Sequence, residues 1–166
     1  MLRKISFLVL FPLFFVSACS NQMHTVTIDG RSFDDVGFTD YTSHKTKESK
    51  IIFNMTDTET GNYCNVIFEK DALIKNNYQL ISKANNNKNI TATCLFGPAY
   101  HIQSKKYDSL IKLELVDMKK DNTHPYIHLT MRLINVVGKR IIKINDFTAP
   151  ITTNDIDLMT NVTSIS

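Results

Sequence analysis

Ile111-Lys112-Leu113-Glu114-Leu115 and, further along, Ile127-His128-Leu129-Thr130-Met131-Arg132-Leu133 decide the fold class. In both stretches apolar and polar side chains alternate strictly. A strand turns successive side chains to opposite faces, so this period of two marks strands with one face in a core and one in water. Between them, Lys119-Lys120-Asp121-Asn122-Thr123-His124-Pro125 supplies turn formers, and the two strands are expected to pair as a hairpin.

The same pattern recurs outward from this hairpin. Ile51, Phe53 and Met55 alternate with Ile52 and Asn54, and the polar run Thr56–Asn62, with Thr60-Gly61-Asn62, leads into Tyr63–Phe68 as a second hairpin. Ile90, Ala92, Cys94 and Phe96 alternate with Thr91, Thr93 and Leu95; Val26 and Ile28 precede Asp29-Gly30; Arg140–Asn145 is β-branched. Tyr100 and His101 follow Gly97-Pro98, which places them at a strand end after a turn. The expected fold is all-β: a small antiparallel β-sandwich or barrel-like domain of roughly eight strands with at most one short helix. That helix is expected after Asp71 as its cap, through Ala72, Leu73, Ile74 and Lys75, ending at Asn76-Asn77. Asp40–Ser49 reads as a loop, and the polar tail 151–166 as loose chain or a marginal edge strand.

The N-terminus is of another kind. Arg3 and Lys4 precede a 12-residue apolar run, Ile5–Val16, and then Ser17-Ala18-Cys19, the plan of a secretory signal. Twelve helical residues reach about 18 Å, short of a hydrocarbon core of about 30 Å. Pro12 further disfavours a spanning helix. Val16-Ser17-Ala18-Cys19 resembles the lipobox of bacterial lipoproteins. That resemblance covers only the leader and implies cleavage before Cys19, a diacylglycerol thioether on its sulfur and an acyl group such as palmitate on its freed amine. Acyl chains contribute about 0.8 kcal/mol per buried CH₂, so two or three of them hold a protein to a membrane durably. Ser20, rather than Asp, at the next position implies sorting to the outer membrane in enterobacteria-like lipoproteins. The rival reading is ordinary cleavage after Ala18 and secretion, with Asn54, Asn89 and Asn161 as glycosylation acceptors in N-x-[ST] triplets.

The expected division is therefore 1–18 as cleaved signal, 19–23 as lipidated cysteine and tether, 24–150 as the β domain and 151–166 as tail. Removing 18 residues from 166 leaves 148 with 17 basic against 16 acidic side chains, net +1, which gives no electrostatic footprint for nucleic acid. Lipidation of Cys19 leaves Cys64 and Cys94 as a pair. Cys64 shares strand parity with Val66 and Phe68, and Cys94 with Ala92 and Phe96, so both thiols are expected to point into one core and form a disulfide in an oxidising compartment.

Candidate chemistry is sparse. His124 and His128 are four apart, but four strand residues span about 13 Å, too far for one ion. Asp34-Asp35 near Asp40, and Asp155-x-Asp157, lack the spacing of a calcium loop and read as turn carboxylates. No nucleophile elbow of the G-x-S-x-G type occurs. The basic pairs Lys105-Lys106, Lys119-Lys120 and Lys139-Arg140 read as strand-edge protection, or as contacts to anionic headgroups if they gather on one face. No metal, cofactor or catalytic residue is expected. The expected role is that of a non-catalytic envelope protein-binding or assembly accessory module, of the kind serving secretion, pilus or conjugation machinery, anchored by lipid in the outer membrane. The alternatives are a small hydrophobic-ligand or lipid-binding domain and an inhibitor of a host hydrolase, the latter through a projecting loop at Asp40–Ser49.

Overall fold

A computed structural model describes residues 23–42, 49–118 and 124–160. Ten strands form one sheet: β1 (His24–Ile28), β2 (Asp35–Thr42), β3 (Ser49–Thr56), β4 (Tyr63–Glu69), β5 (Gln79–Lys83), β6 (Ile90–Phe96), β7 (Ala99–Ile102), β8 (Leu110–Val116), β9 (Tyr126–Asn135) and β10 (Arg140–Pro150). Helix α1 (Lys70–Lys75) follows β4, and α2 (Thr153–Thr160) follows β10. Lateral order is β1-β10-β9-β7-β6-β4-β3-β2, with β8 joining β9 on the same side as β7 and carrying β5 on its outer edge. All pairings are antiparallel except β1 on β10, which is parallel. The sheet curls into a half-barrel, so the fold is all-β and barrel-like. No helix among the described residues is long and apolar enough to cross a membrane.

The alternation seen in the sequence becomes the inside and outside of this curl. β8 and β9 pair with Ile111 opposite Met131, Leu113 opposite Leu129 and Leu115 opposite Ile127, all buried. β3 and β4 pair with Ile51 opposite Phe68, Phe53 opposite Val66 and Met55 opposite Cys64, again all buried. Both expected hairpins are present, and the interior is filled by these side chains.

Cys64 and Cys94 stand directly opposite each other on β4 and β6, Cα atoms 4.0 Å apart, joined as a disulfide. Both are fully buried, as strand parity required.

Three elements differ from the sequence reading. The first part of Asp40–Ser49 is the end of β2, and Ser49 opens β3; residues 43–48 lie outside the described set. β2 was hidden because it is an edge strand with most side chains exposed, so no apolar alternation marks it. β5 was hidden because one of its inward positions is Ser82, a buried hydroxyl that accepts from Gln103 Nε2 at 3.0 Å.

The tail is neither loose nor a strand through Thr160. Thr152 and Asp155 form a reciprocal cap, the Asp155 carboxylate accepting from Thr152 N–H (2.9 Å) and hydroxyl (2.6 Å) while Asp155 N–H donates to Thr152 Oγ1 (3.3 Å). This is the capping-box arrangement of a helix start, with Asp in the place of the usual Glu or Gln. α2 then sends Met159 into the core. Asp71 lies in the first turn of α1 rather than capping it; the cap position is Glu69. There a carboxylate still meets the positive end of the helix dipole. The expected end holds, with Asn76 Nδ2 donating to Ala72 O at 2.7 Å.

Replacing both Cys64 and Cys94 by Ala is expected to lower the unfolding free energy by roughly 3–4 kcal/mol, the loop-entropy value for a closed loop of this length. Urea unfolding of the double variant against the oxidised parent measures it; an unchanged midpoint would contradict a stapling role.

Candidate functional site

β10 has two neighbours over its first half only. β1 pairs with Arg140–Ile144 and stops, leaving Asn145–Pro150 with β9 on one side and no strand on the other among the described residues. At that point the β10–β9 register shifts between Ile144 and Phe147, and Asp146 takes a φ of 50°. The extra residue of this bulge sets Phe147 and Ala149 on the buried face. β2, at the far end of the sheet order, likewise has β3 on one side and, among the described residues, no strand partner on the other. The curl brings the freed part of β10 against the chain entering β2 at a groove of about 420 Å³, lined by Gly30, Arg31, Phe33 and, on β2, Val36 on one side and Asn145–Pro150 on the other. We call this groove the seam.

Aromatic rings form the floor of the seam and hold its sides in place. Phe147 on β10 meets Phe33 edge-on at 6.1 Å and Phe53 on β3 at 6.0 Å; Phe53 stacks on Phe38 of β2 at 4.7 Å, and Phe33 meets Phe96 at 6.3 Å. The chain between β1 and β2 crosses over Phe147 in a single 3₁₀ turn, Gly30–Ser32, capped by Asp29 Oδ1 accepting from Arg31 N–H at 3.0 Å. Gly30 is required there by space. A Cβ at this position would lie 2.7 Å from the Phe147 ring. The exposed lining is more polar than apolar, with Asp29, Arg31, Asn145 and Asp146 around the edges of Phe33 and Phe147.

The sequence-derived candidates distribute as follows. Cys19 and Lys119-Lys120 lie outside the described residues. Asp34 is tied across to Thr58, whose N–H donates to it at 2.8 Å and whose hydroxyl donates as well; these bonds hold its carboxyl below the usual carboxylate range. Asp40 accepts from Ser49 at 3.3 Å, and Asp155 caps α2. Each is thus a local turn or capping group, and among the described residues no three His, Cys, Asp or Glu side chains are grouped to hold a metal. His128 faces outward on β9, its Nε2 3.2 Å from Asp146 at the bulge, while His124 precedes that strand. Lys105-Lys106 lie in the connection after β7, with Lys106 Nζ 5.7 Å from the Tyr107 ring centre; Lys139-Arg140 lie at the β9–β10 turn.

Among the described residues His101 is the one histidine in the core. It sits opposite Cys94 on β7, fully buried, with Nδ1 3.1 Å from Ala99 O and its ring edge-on to Phe96 at 6.2 Å. Nε2 is buried without a hydrogen-bond partner. Burial is the main force lowering its pKa below the ordinary histidine value; the Ala99 carbonyl works against that, and the Arg140 charge adds to it. The imidazole is therefore neutral at neutral pH.

What sequence reading missed is the seam itself. Gly30 ahead of Phe33, and Phe147 just past the β-branched run, were the available signals, but only the curl makes them neighbours.

Two outcomes follow for these residues. Gly30→Ala is expected to cost about 1–3 kcal/mol by overpacking against Phe147, measured by thermal or urea unfolding, whereas the same substitution made in a Phe147→Ala background, where Cγ and Cδ2 are gone, should cost much less. For His101, the unfolded state takes up its proton at a higher pH than the folded state does. Stability is then fully present above the ordinary histidine pKa and falls as pH drops below it towards the depressed folded value. His101→Phe should flatten this acid-side slope in unfolding midpoints measured from pH 7.5 to about pH 5; an identical slope in the variant would assign the sensitivity elsewhere.

No protein-family model matches the chain, and no curated protein or solved structure matches it either.

Proposed function

We propose that the protein is a lipid-anchored outer-membrane lipoprotein that works, without catalysis, as a protein-binding accessory module of envelope machinery of the secretion, pilus or conjugation type. The seam carries this reading: the part of β10 without a second strand neighbour among the described residues borders a groove that Val36 of β2 also lines, with polar groups around the exposed edges of Phe33 and Phe147. Unpaired N–H and C=O groups along a strand edge are a template for an extended segment of another chain, and alternate side chains of that segment would meet the floor. The occupant we assign is an extended segment of a partner protein. It adds to β10 beyond Ile144 or to β2, in the place a further strand would take to complete the barrel.

The leader supports the location. Its basic start, apolar run and Val16-Ser17-Ala18-Cys19 lie only a few residues before β1. A disulfide in the core suits a compartment outside the reducing cytosol.

Two experiments test the two halves separately. Labelling cells with a palmitate analogue should mark the parent and not Cys19→Ser, which should leave the membrane fraction; equal labelling would overturn the anchor. A photo-crosslinking amino acid at Val36 or Thr148 should give the same discrete adduct band in intact cells, and Val36→Lys should weaken the band obtained from Thr148. A band of equal strength from the remote position Lys88, or none from either seam position, would overturn the seam as the binding site.

A further inference from the structure

The apolar tip around the β9–β10 turn is a second exposed feature, distinct from the seam. Val136 is 50% exposed, Val137 97%, and beside them Tyr100 (56%) and Ile102 (50%) project from β7. β7 pairs with β9 only through Ile102 and Ile134, so the two strands part beyond that point. The gap is a groove of about 580 Å³ between the Gly97-Pro98 turn and residues 136–138. It is spanned by Asn135 Nδ2 donating to Tyr100 O at 2.8 Å. Lys139 and Arg140, both exposed, follow directly.

The N-terminal strand decides what this tip faces. β1 enters the sheet at exactly one place: His24 is in register with Arg140, and its N–H donates to Lys139 O at 2.8 Å. The first residue of β1 is thus hydrogen-bonded to the turn that carries Val136 and Val137. From Cys19 to His24 the chain can reach at most about 17 Å even when fully extended.

We infer that this tip docks on the surface of the bilayer that holds the Cys19 acyl chains, with Val136 and Val137 at the boundary between headgroups and acyl chains. The inference rests on the lipoprotein reading above. Three features fit a lipid surface better than a protein one. The apolar residues sit at the point of a turn, where they can enter an interface without opening the fold. Tyr100 has the apolar ring and polar tip favoured at headgroup level. Lys139 and Arg140 flank the tip, where they meet anionic headgroups. The short tether keeps the tip within reach of that surface at all times, so weak insertion suffices. The domain is thereby held in one orientation, with the β9–β10 turn toward the membrane and the β5–β6 turn away from it.

The test uses the full, lipidated chain reconstituted into vesicles of phosphatidylethanolamine and phosphatidylglycerol, with a bimane fluorophore on Val137→Cys or, in a separate sample, on Lys88→Cys in the β5–β6 turn. Brominated acyl chains are the quencher. Val137 is almost wholly exposed, so its replacement removes no packing. Quenching several-fold stronger at position 137 than at 88 is the expected result. Equal, weak quenching at both positions while the protein floats with the vesicles would overturn the docked tip and leave the anchor standing. Stronger quenching at 88 would overturn the orientation. Failure of both labelled proteins to float would remove the anchor, and the inference with it.

Discussion

Phe147 is the side chain on which the shape of this protein turns. It sits on β10, near one end of the strand order, and contacts Phe53 on β3 and Phe33 on the chain entering β2, near the other end. A twisted sheet of this many strands can stay open or roll up, and burying several aromatic side chains between its ends favours rolling. The roll leaves room for the crossing chain only because Gly30 has no Cβ to collide with the ring. The bulge before Phe147 serves the same contact, since the added residue shifts Phe147 and Ala149 onto the inward face.

Rolling without closing is what gives the molecule a usable surface. Were β1 long enough to follow β10 to its end, the freed edge would be covered and the seam would have one wall fewer to offer. Because β1 stops at Ile28, the same strand does two things: it exposes β10 beyond Ile144 and fixes His24 against the β9–β10 turn. The proposed roles then occupy different places. The proposal gives the tip and its basic flank to the membrane and the seam to a partner. The disulfide lies in neither place; it joins β4 to β6 in the middle of the sheet order, where it holds the framework without restricting either surface.

How far the sequence could be read depended on whether a residue's role was local. β8 and β9 were legible because buried apolar residues alternate with polar or charged ones without a break from Ile111 to Leu115 and from Ile127 to Leu133. The disulfide was legible because parity on two strands is a local property, and it placed both cysteines on inward positions. β2 and β5 were not, for opposite reasons: an edge strand has little to bury, and Ser82 satisfies its hydroxyl through Gln103, a residue far along the chain. α2 left a readable mark in Thr152-x-x-Asp155, but its polar composition outweighed that mark because its contribution to the core within the described residues is essentially Met159.

From the residues alone came the all-β class, the hairpins and the buried cysteine pair, since each follows from spacing within a few residues. The tertiary structure alone decided the rolling of the sheet, the parallel seat of β1, the helix in the tail, the seam and the neighbourhood of His24. Those depend on which distant segments meet, and a period of two says which way a side chain points without saying which strand it will face.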